Sequence, residues 1–355
     1  MSSNENKGYV VYFDFLRIIA TVAVIILHVA AQNWASVDIS SYAWKVFNVF
    51  DSAVRFSVPM FVMISGALFL DNDKKISIKN LYTKNILRII TAFIFWSFIY
   101  ALDKRLLGLS IKETVMCFIE GNYHMWFLYM IVLLYALVPV IRKITESKET
   151  TQYFIIVGLV ISFLIPRTIF LLQCLEFPYV SKLLPSINSA YLKMMSEFGL
   201  GYVIYFVIGY YLAKYDVGKV WRKIFYLLAV LGFISTVFLT DWHSHKIGGA
   251  SVGFYNNFSI SVLFMAVGIF LFFKHRKTVL KEKTVKMLKT LSKYSFGTYL
   301  VHAFIIDKLN LWFNINTLTF NPVVSVILIV FCVTVVSYAA SAIINHIPVL
   351  KKYIV

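Results

Sequence analysis

Three ionisable side chains stand inside the first long apolar segment, where an uncompensated charge is expensive: Asp14, Arg17 and His28. On an α-helix, Asp14 and Arg17 are one turn apart, and the 11-residue step from Arg17 to His28 returns to the same face within about 20°. All three therefore share one stripe, with His28 roughly 16 Å farther along the axis. Such a stripe suits anion binding by Arg17 and proton transfer by His28. The alternative is an ion pair between Asp14 and Arg17, with His28 as an interhelical hydrogen-bonding residue.

Two further cations precede the third apolar segment. Lys84 and Arg88 stand in the run YTKNILR at 82–88, and together with Arg17 they form a candidate site for phosphate groups. All three are expected near the cytoplasmic side of the membrane. Ordinary anchoring of a membrane helix at that side also explains Lys84 and Arg88, so both interpretations stay open.

Arg55 stands well inside the second apolar segment, four residues before Pro59. A lone cation at that depth needs a partner. Asp51, one turn earlier on the same helix face, is one candidate. An anionic group of a substrate is the other, and the sequence does not separate them.

Two polar and aromatic pairs come later in the chain. His124 and Trp126 open the fourth apolar segment from the outer side, where a Trp serves either as an interface anchor or as a platform for a sugar ring. Tyr299 and His302 are one helical turn apart in the ninth segment. His302 is either a second proton-transfer group or a structural hydrogen-bonding residue.

The composition predicts the elements that must position these side chains. Of 355 residues, 60% are hydrophobic and only 14% are charged, which is too few charges to cover a water-facing surface. The apolar residues form blocks long enough to cross a bilayer, for which about 20 helical residues suffice. We therefore predict an all-α integral membrane protein with one domain over residues 1–355, a bundle of about ten transmembrane helices. These cover residues 9–31, 44–70, 87–102, 125–141, 153–175, 194–213, 221–240, 254–273, 295–313 and 322–347.

The basic residues predict the orientation of the bundle. They stand between apolar blocks rather than on one face or in a tail, so the net charge of +17 does not indicate a nucleic-acid partner. With the amino terminus inside, 23 of the 34 Lys and Arg residues fall in inner segments and 8 in outer segments. The remaining three are Arg17, Arg55 and Lys308. We predict a multi-pass protein of the cytoplasmic (inner) membrane with both termini in the cytoplasm.

Neither a cleaved leader nor a metal site is expected. Residues 9–31 are too long for a signal-peptide core and no small-residue cleavage site frames them, so the first helix should remain in the protein. The cysteines, Cys117, Cys174 and Cys332, lack the spacing of metal ligands. Cys117 and Cys174 both fall on the outer side, and whether they form a disulfide is left open.

Four sequence blocks occur in an order that resembles the acyltransferase-3 family of membrane acyltransferases. They are FDFLR at 13–17 followed by His28 in an Arg-x10-His pattern, SVPMFVMISG at 57–66, YHMWFLY at 123–129 and SFGTYLVH at 295–302. The likeness covers essentially the whole chain and is strongest to single-domain members that acetylate surface saccharides. The chain differs in one respect, because many members carry a tight Arg-Arg pair where this sequence has Lys84 and Arg88.

The resemblance implies an O-acyltransferase that takes an acetyl or other short acyl group from cytoplasmic acyl-coenzyme A. The acceptor is a hydroxyl of a cell-surface glycan or lipid-linked saccharide, and the donor is a substrate, so no permanently bound cofactor is expected. Expected partners are the lipid bilayer, acyl-coenzyme A and the glycan. The expected roles are catalysis for His28, Arg17, Asp14 and His302, donor binding for Arg17, Lys84 and Arg88, and acceptor binding for Arg55, His124, Trp126 and Tyr299. An exporter or flippase of a saccharide or lipid-linked intermediate is the rival function. A sensing or scaffolding module is a weaker one, because it leaves the stripe unexplained.

Overall fold

A computed structural model describes residues 10–177, 182–193, 197–276 and 280–354. Helices dominate this part of the chain. The helices labelled here are, in order, α1 Val11–Ala31, α2 Tyr42–Val54, α3 Ser57–Phe69, α4 Leu87–Leu106, α5 Ile111–Glu120, α6 Trp126–Ile144, α7 Lys148–Leu159, α8 Ile165–Leu175, α9 Leu184–Lys193, α10 Glu197–Lys214, α11 Lys219–Ile247, α12 Ile260–His275, α13 Glu282–Phe313, α14 Pro322–His346 and α15 Pro348–Tyr353. The predicted first residues of two helices, Tyr9 and Met194, lie outside the described residues. The all-α membrane fold is confirmed.

Within the described residues, eight helical segments are long and apolar enough to cross a membrane. They are Val11–Ala31, Tyr42–Phe69, Ile78–Leu106, Ile111–Ile144, Lys148–Leu175, Lys219–Ile247, Gly253–His275 and Pro322–His346. Two predicted spans are not among them. Leu200–Lys214 is apolar but shorter, and α13 has lower hydropathy because polar residues such as His302, Asp307 and Lys308 interrupt its apolar half. The count of ten and the cytoplasmic position of both termini stay predictions.

The predicted second span, 44–70, corresponds to the segment Tyr42–Phe69, but two helices form it instead of one continuous helix. The α-helix is interrupted between α2 and α3, at Arg55 and Phe56. Pro59 has no backbone N–H and so cannot donate to the carbonyl of Arg55 one turn earlier. The α-helical pattern resumes with the Met60 N–H, which donates to the Phe56 carbonyl at 2.9 Å. This interruption places Arg55 directly after the last turn of α2, just before α3 begins.

The ninth predicted helix, 295–313, also begins much earlier than expected. The helix α13 starts at Glu282 and is 32 residues long. Its first turns are rich in Lys, so the apolar pattern of the sequence revealed only the second half of the helix. A helix end and a membrane boundary are set by different forces, since backbone hydrogen bonding continues in water whereas apolar burial does not.

Helix α1 lies at the centre of the bundle, against α2, α3, α13 and α14. The helix α3 also packs closely on α10. A Cβ atom at Gly66 would overlap the carbonyl oxygen of Phe206, and one at Gly209 would overlap the backbone of Met63. Glycine at both positions lets the two backbones touch. Outward-facing Leu, Ile, Val and Phe side chains remain exposed on the peripheral helices, which suits a lipid environment.

Polar contacts hold the loop after α3 against two other helices. The Arg142 guanidinium donates to the carbonyls of Phe69 at 3.1 Å and Lys74 at 2.7 Å. On the other side, the Lys214 ammonium pairs with the carboxylates of Asp73 and, at 3.5 Å, Asp71. The loop leads into Ile78–Asn80 and a π-helical turn, Leu81–Ile86, which carries Lys84. These contacts therefore fix the position from which the cations of this region project.

Candidate functional site

The three residues of the α1 stripe reach different parts of the bundle. Asp14 is buried one turn before Arg17. The Arg17 Nη1 atom lies 3.5 Å from the Ser292 hydroxyl of α13. The side chain of His28 is half-buried, and its ring contacts residues of two other segments. The stripe therefore presents an arginine and a histidine to two separate sites, as the spacing predicts.

Three histidines from distant parts of the chain meet near the carboxyl-terminal half of α1. The His28 ring lies 5.2 Å from that of His302, nearly parallel at 29° between planes. The His124 ring is 5.0 Å from His302 and 6.3 Å from His28 between centroids. We call His28, His124 and His302 the histidine cluster. In the described part of the chain, no group of His, Cys, Asp and Glu side chains is arranged to hold a metal ion.

Hydrogen bonds fix the tautomer of His302. Its Nδ1 atom lies 2.5 Å from the carbonyl oxygen of Tyr299, and because a carbonyl only accepts, Nδ1 carries the proton. The Nε2 atom of the neutral ring is then an acceptor, and it is buried without a hydrogen-bond partner among the described residues. Within the same residues, no hydrogen bond fixes the His28 ring, although aromatic rings surround it. The interpretation of His28 as a satisfied interhelical hydrogen-bonding residue therefore finds no support in these contacts.

Tyrosines hold the cluster in place. The Tyr299 hydroxyl donates to the backbone carbonyl of His124. The Tyr100 hydroxyl donates to the carbonyl of Leu300 at 2.9 Å and accepts from the Phe304 N–H at 3.0 Å. These bonds tie α13 to α4 and to the turn that carries His124. The positions of the histidine rings thus rest on interhelical hydrogen bonds in a buried environment.

A cavity of about 480 Å³ lies on the cytoplasmic side of the cluster in the predicted orientation. We call it the basic cavity. Its lining consists of Arg17, Phe61, Ser65, Leu68, Phe69, Lys84, Asn85, Arg88, Ile89, Phe127, Ile131, Tyr135, Ser292, Lys293, Ser295, Phe296 and Tyr299. The exposed cations Lys84, Arg88 and Lys293 stand at its open end. The three cations predicted to bind phosphate are therefore brought together in one cavity of a size typical for ligand binding.

Tyr299 connects the basic cavity with the histidine cluster. Its ring lines the cavity, and it lies 5.4 Å from His124 and 5.8 Å from His302 between centroids. None of the three histidines lines the cavity in the described structure. The two sites are therefore neighbours that meet at one aromatic ring.

Arg55 and Trp126 are placed differently. Arg55 forms an ion pair with Asp51, and its guanidinium lies over the Tyr255 ring, 3.9 Å from the centroid. Of the two partners considered for Arg55, the carboxylate one turn earlier is therefore present in the structure. Trp126 is about one-third exposed and packs 5.9 Å from Tyr202, away from the histidine rings.

Several lining residues were missed by the sequence analysis. The Tyr135 hydroxyl donates to the Ser65 hydroxyl at 3.3 Å, and both residues line the cavity. Ser292, Ser295, Phe296 and Tyr299 line it from one face of α13, at i, i+3, i+4 and i+7. That spacing was visible in the sequence. The prediction overlooked it because the predicted helix began only at Ser295, after Ser292. The three cysteines are free.

Comparisons with known proteins agree with this architecture. A family model described as an acyltransferase domain, that of the acyltransferase-3 family, matches residues 10–345, nearly the whole chain. No curated protein and no solved structure matches the chain. The matched region includes the stripe of α1, the basic cavity and all three histidines. The chain therefore belongs to the acyltransferase-3 family and is a membrane-embedded acyltransferase.

Proposed function

We propose that the protein transfers an acetyl or other short acyl group from cytoplasmic acyl-coenzyme A to a hydroxyl of a cell-surface glycan or lipid-linked saccharide. The observation that carries this proposal is the meeting of two sites at Tyr299: a cavity rich in cations and a cluster of three histidines. A thioester donor with phosphates at one end and a reactive carbonyl at the other fits such a pair. The proposed place of action is the cytoplasmic membrane.

The basic cavity serves the donor in this proposal. Arg17, Lys84 and Arg88 bind its phosphates, with the planar guanidinium groups offering two parallel N–H donors each. The thiol arm then extends along α3, α6 and α13 towards Tyr299. From Phe69 to Phe61 on α3 this path is about 12 Å, taking 1.5 Å of rise per residue.

The histidine cluster serves the acceptor. His28 takes the proton of the acceptor hydroxyl as its oxygen attacks the thioester carbonyl, so a C–O bond forms and the C–S bond breaks. The proton is passed to the departing sulfur, which leaves as the free thiol. The bare Nε2 atom of His302, stacked beside His28, is a second proton-transfer group. Asp14 supports Arg17 one turn earlier on α1.

The other proposed acceptor contacts surround the cluster on the outer side. In this proposal Arg55, held by Asp51 and Tyr255, offers the acceptor a positioned N–H donor rather than a free charge. His124 and Tyr299 contact the cluster directly. Trp126, being partly exposed, provides a surface on which a sugar ring can stack.

Mass spectrometry of surface glycans, from cells with and without the protein, tests the proposal. The expected result is one added acyl unit per modified sugar, present only in cells that contain the protein. If the protein were an exporter instead, cells without it should lose the glycan from their surface, and the mass of the glycan should be unchanged. Glycans that are equal in mass and amount in both cells would contradict the proposal. Membership of an acyltransferase family favours the first result.

A further inference from the structure

Three aromatic rings close the inner end of the basic cavity. Phe61 comes from α3, Phe127 from α6 and Tyr299 from α13, and all three line the cavity. The Phe127 ring lies between the other two, with its centroid 6.0 Å from Phe61 and 5.8 Å from Tyr299. We call these three residues the aromatic wall. Each is the lining residue of its helix that lies farthest from the exposed cations.

One ring of the aromatic wall is held by a hydrogen bond, and the other two, Phe61 and Phe127, are half-buried. Tyr299 is buried, and its hydroxyl is bonded to the carbonyl of His124. The neighbouring residues Met60, Met125 and Leu128 are also buried. A ring in such packing yields to a larger ligand only by displacing other side chains. Phe61 and Phe127 therefore limit the apolar space beside Tyr299, where the cavity meets the histidine cluster.

A ligand that binds its anionic groups at the cations must direct its opposite end towards the wall. The cationic part of the lining, Arg17, Lys84, Arg88 and Lys293, is at the open end, whereas the inner end, beyond the hydroxyls of Ser65 and Ser295, offers the aromatic surface of the wall. For an acyl-coenzyme A donor, the part that reaches the wall is the acyl group. This step rests on the proposed function.

We propose that Phe61 and Phe127 set the length of the acyl chain that the protein accepts. A short chain ends in front of the rings, and each added methylene must push them back. In a packed apolar pocket, one methylene changes discrimination by about 10- to 200-fold. Removing either ring opens space at the end of the cavity and shifts the preference towards longer chains. Tyr299 is a poorer test position, because it also contacts His124 and His302.

Binding of coenzyme A thioethers tests this proposal without knowledge of the acceptor. S-ethyl, S-butyl and S-hexyl coenzyme A cannot transfer an acyl group, and their affinities can be measured by calorimetry on the full chain in lipid nanodiscs. The wild-type protein is expected to bind S-hexyl coenzyme A at least about tenfold more weakly than the S-ethyl compound. Phe61→Ala and Phe127→Ala are each expected to improve the affinity ratio for the longer chain by about tenfold or more.

Phe69→Ala is the matched control. Phe69 is the same residue type on the same cavity but lies at its other end, against Tyr135 at 4.4 Å. Its loss is expected to leave the ratio of S-hexyl to S-ethyl affinity unchanged. Phe127→Leu, which shortens the side chain and keeps it apolar, gives a second reading if an alanine variant fails to fold. It should shift the ratio in the same direction by a smaller factor.

Two kinds of failure are distinguishable. Phe61 and Phe127 do not set the accepted acyl-chain length if wild-type protein binds all three thioethers equally. The same conclusion follows if the ratio of S-hexyl to S-ethyl affinity is unchanged in Phe61→Ala and Phe127→Ala. A shift in Phe69→Ala as large as in the wall variants would overturn the assignment as well. If unsubstituted coenzyme A and the thioethers all fail to bind to wild type, the donor itself is wrong, and the proposed function falls together with this inference.

Discussion

The cations of the basic cavity and the cation beside the histidine cluster have different partners. In the cavity, Arg17 contacts the neutral hydroxyl of Ser292, and Lys84 is exposed. Beside the cluster, Arg55 is paired with the buried carboxylate of Asp51 and covered by Tyr255. A cation that contacts only a neutral group or solvent suits a ligand that brings its own anions. A cation that is already paired with a carboxylate suits a structural role. The difference predicts that similar substitutions will have different consequences on the two sides.

The largest effect on stability is expected at Arg55. Because Arg55→Ala leaves the Asp51 carboxylate buried without its partner, it should lower the free energy of unfolding by about 3–5 kcal/mol. The double variant with Asp51→Ala should be less affected, since it removes both charges. Thermal unfolding of purified protein in detergent measures both. Equal losses of stability in the single and the double variant would contradict the structural role of the pair.

Arg17→Ala should change binding rather than stability. Losing a hydrogen-bonding contact to a charged group costs about 1.5–3 kcal/mol, so the affinity for coenzyme A should fall by about 10- to 150-fold. Arg17→Lys should recover only part of it, because an ammonium lacks the planar pair of donors. Calorimetry in nanodiscs gives the affinities. Unchanged affinity in Arg17→Ala would place the phosphates elsewhere.

Lys84→Ala should have a smaller effect of the same kind. Lys84 is exposed at the open end of the basic cavity, and solvent-exposed charge interactions contribute only about 0.2–1 kcal/mol. The affinity for coenzyme A should fall by about fivefold at most, and the difference from wild type should shrink further at high salt. A loss larger than that of Arg17→Ala would reverse the order of the two cations in this account.

Orientation of the bundle is tested with labels that leave the site intact. After replacement of the three cysteines, single cysteines at Lys283 and His245 should react with a membrane-impermeant reagent from opposite sides, Lys283 from the cytoplasm and His245 from outside. This places the open end of the basic cavity in the compartment where acyl-coenzyme A is made. Labelling of both from one side would remove the predicted topology.

Parts of this arrangement followed from local sequence and parts did not. The stripe of α1 and the adjacency of Tyr299 and His302 depend only on helical spacing, so they were predicted. The meeting of His124 with His28 and His302 depends on the packing of three segments far apart in the chain, which spacing does not determine. The aromatic wall likewise depends on the packing of three distant helices, α3, α6 and α13. The broken helix at Arg55 was visible as Pro59, but the length of its apolar block suggested one continuous span.

If His28 transfers the proton while the basic cavity binds the donor, His28→Gln should separate the two functions. Glutamine keeps a hydrogen-bonding side chain but cannot shuttle a proton. We expect this variant to bind coenzyme A like wild type and to lose acyl transfer by about 10²- to 10⁴-fold, measured as acylation of surface glycans at equal expression. A purely structural hydrogen bond in a membrane is worth on average only about 0.6 kcal/mol, too little to silence the enzyme. Near wild-type acylation by His28→Gln would contradict the account.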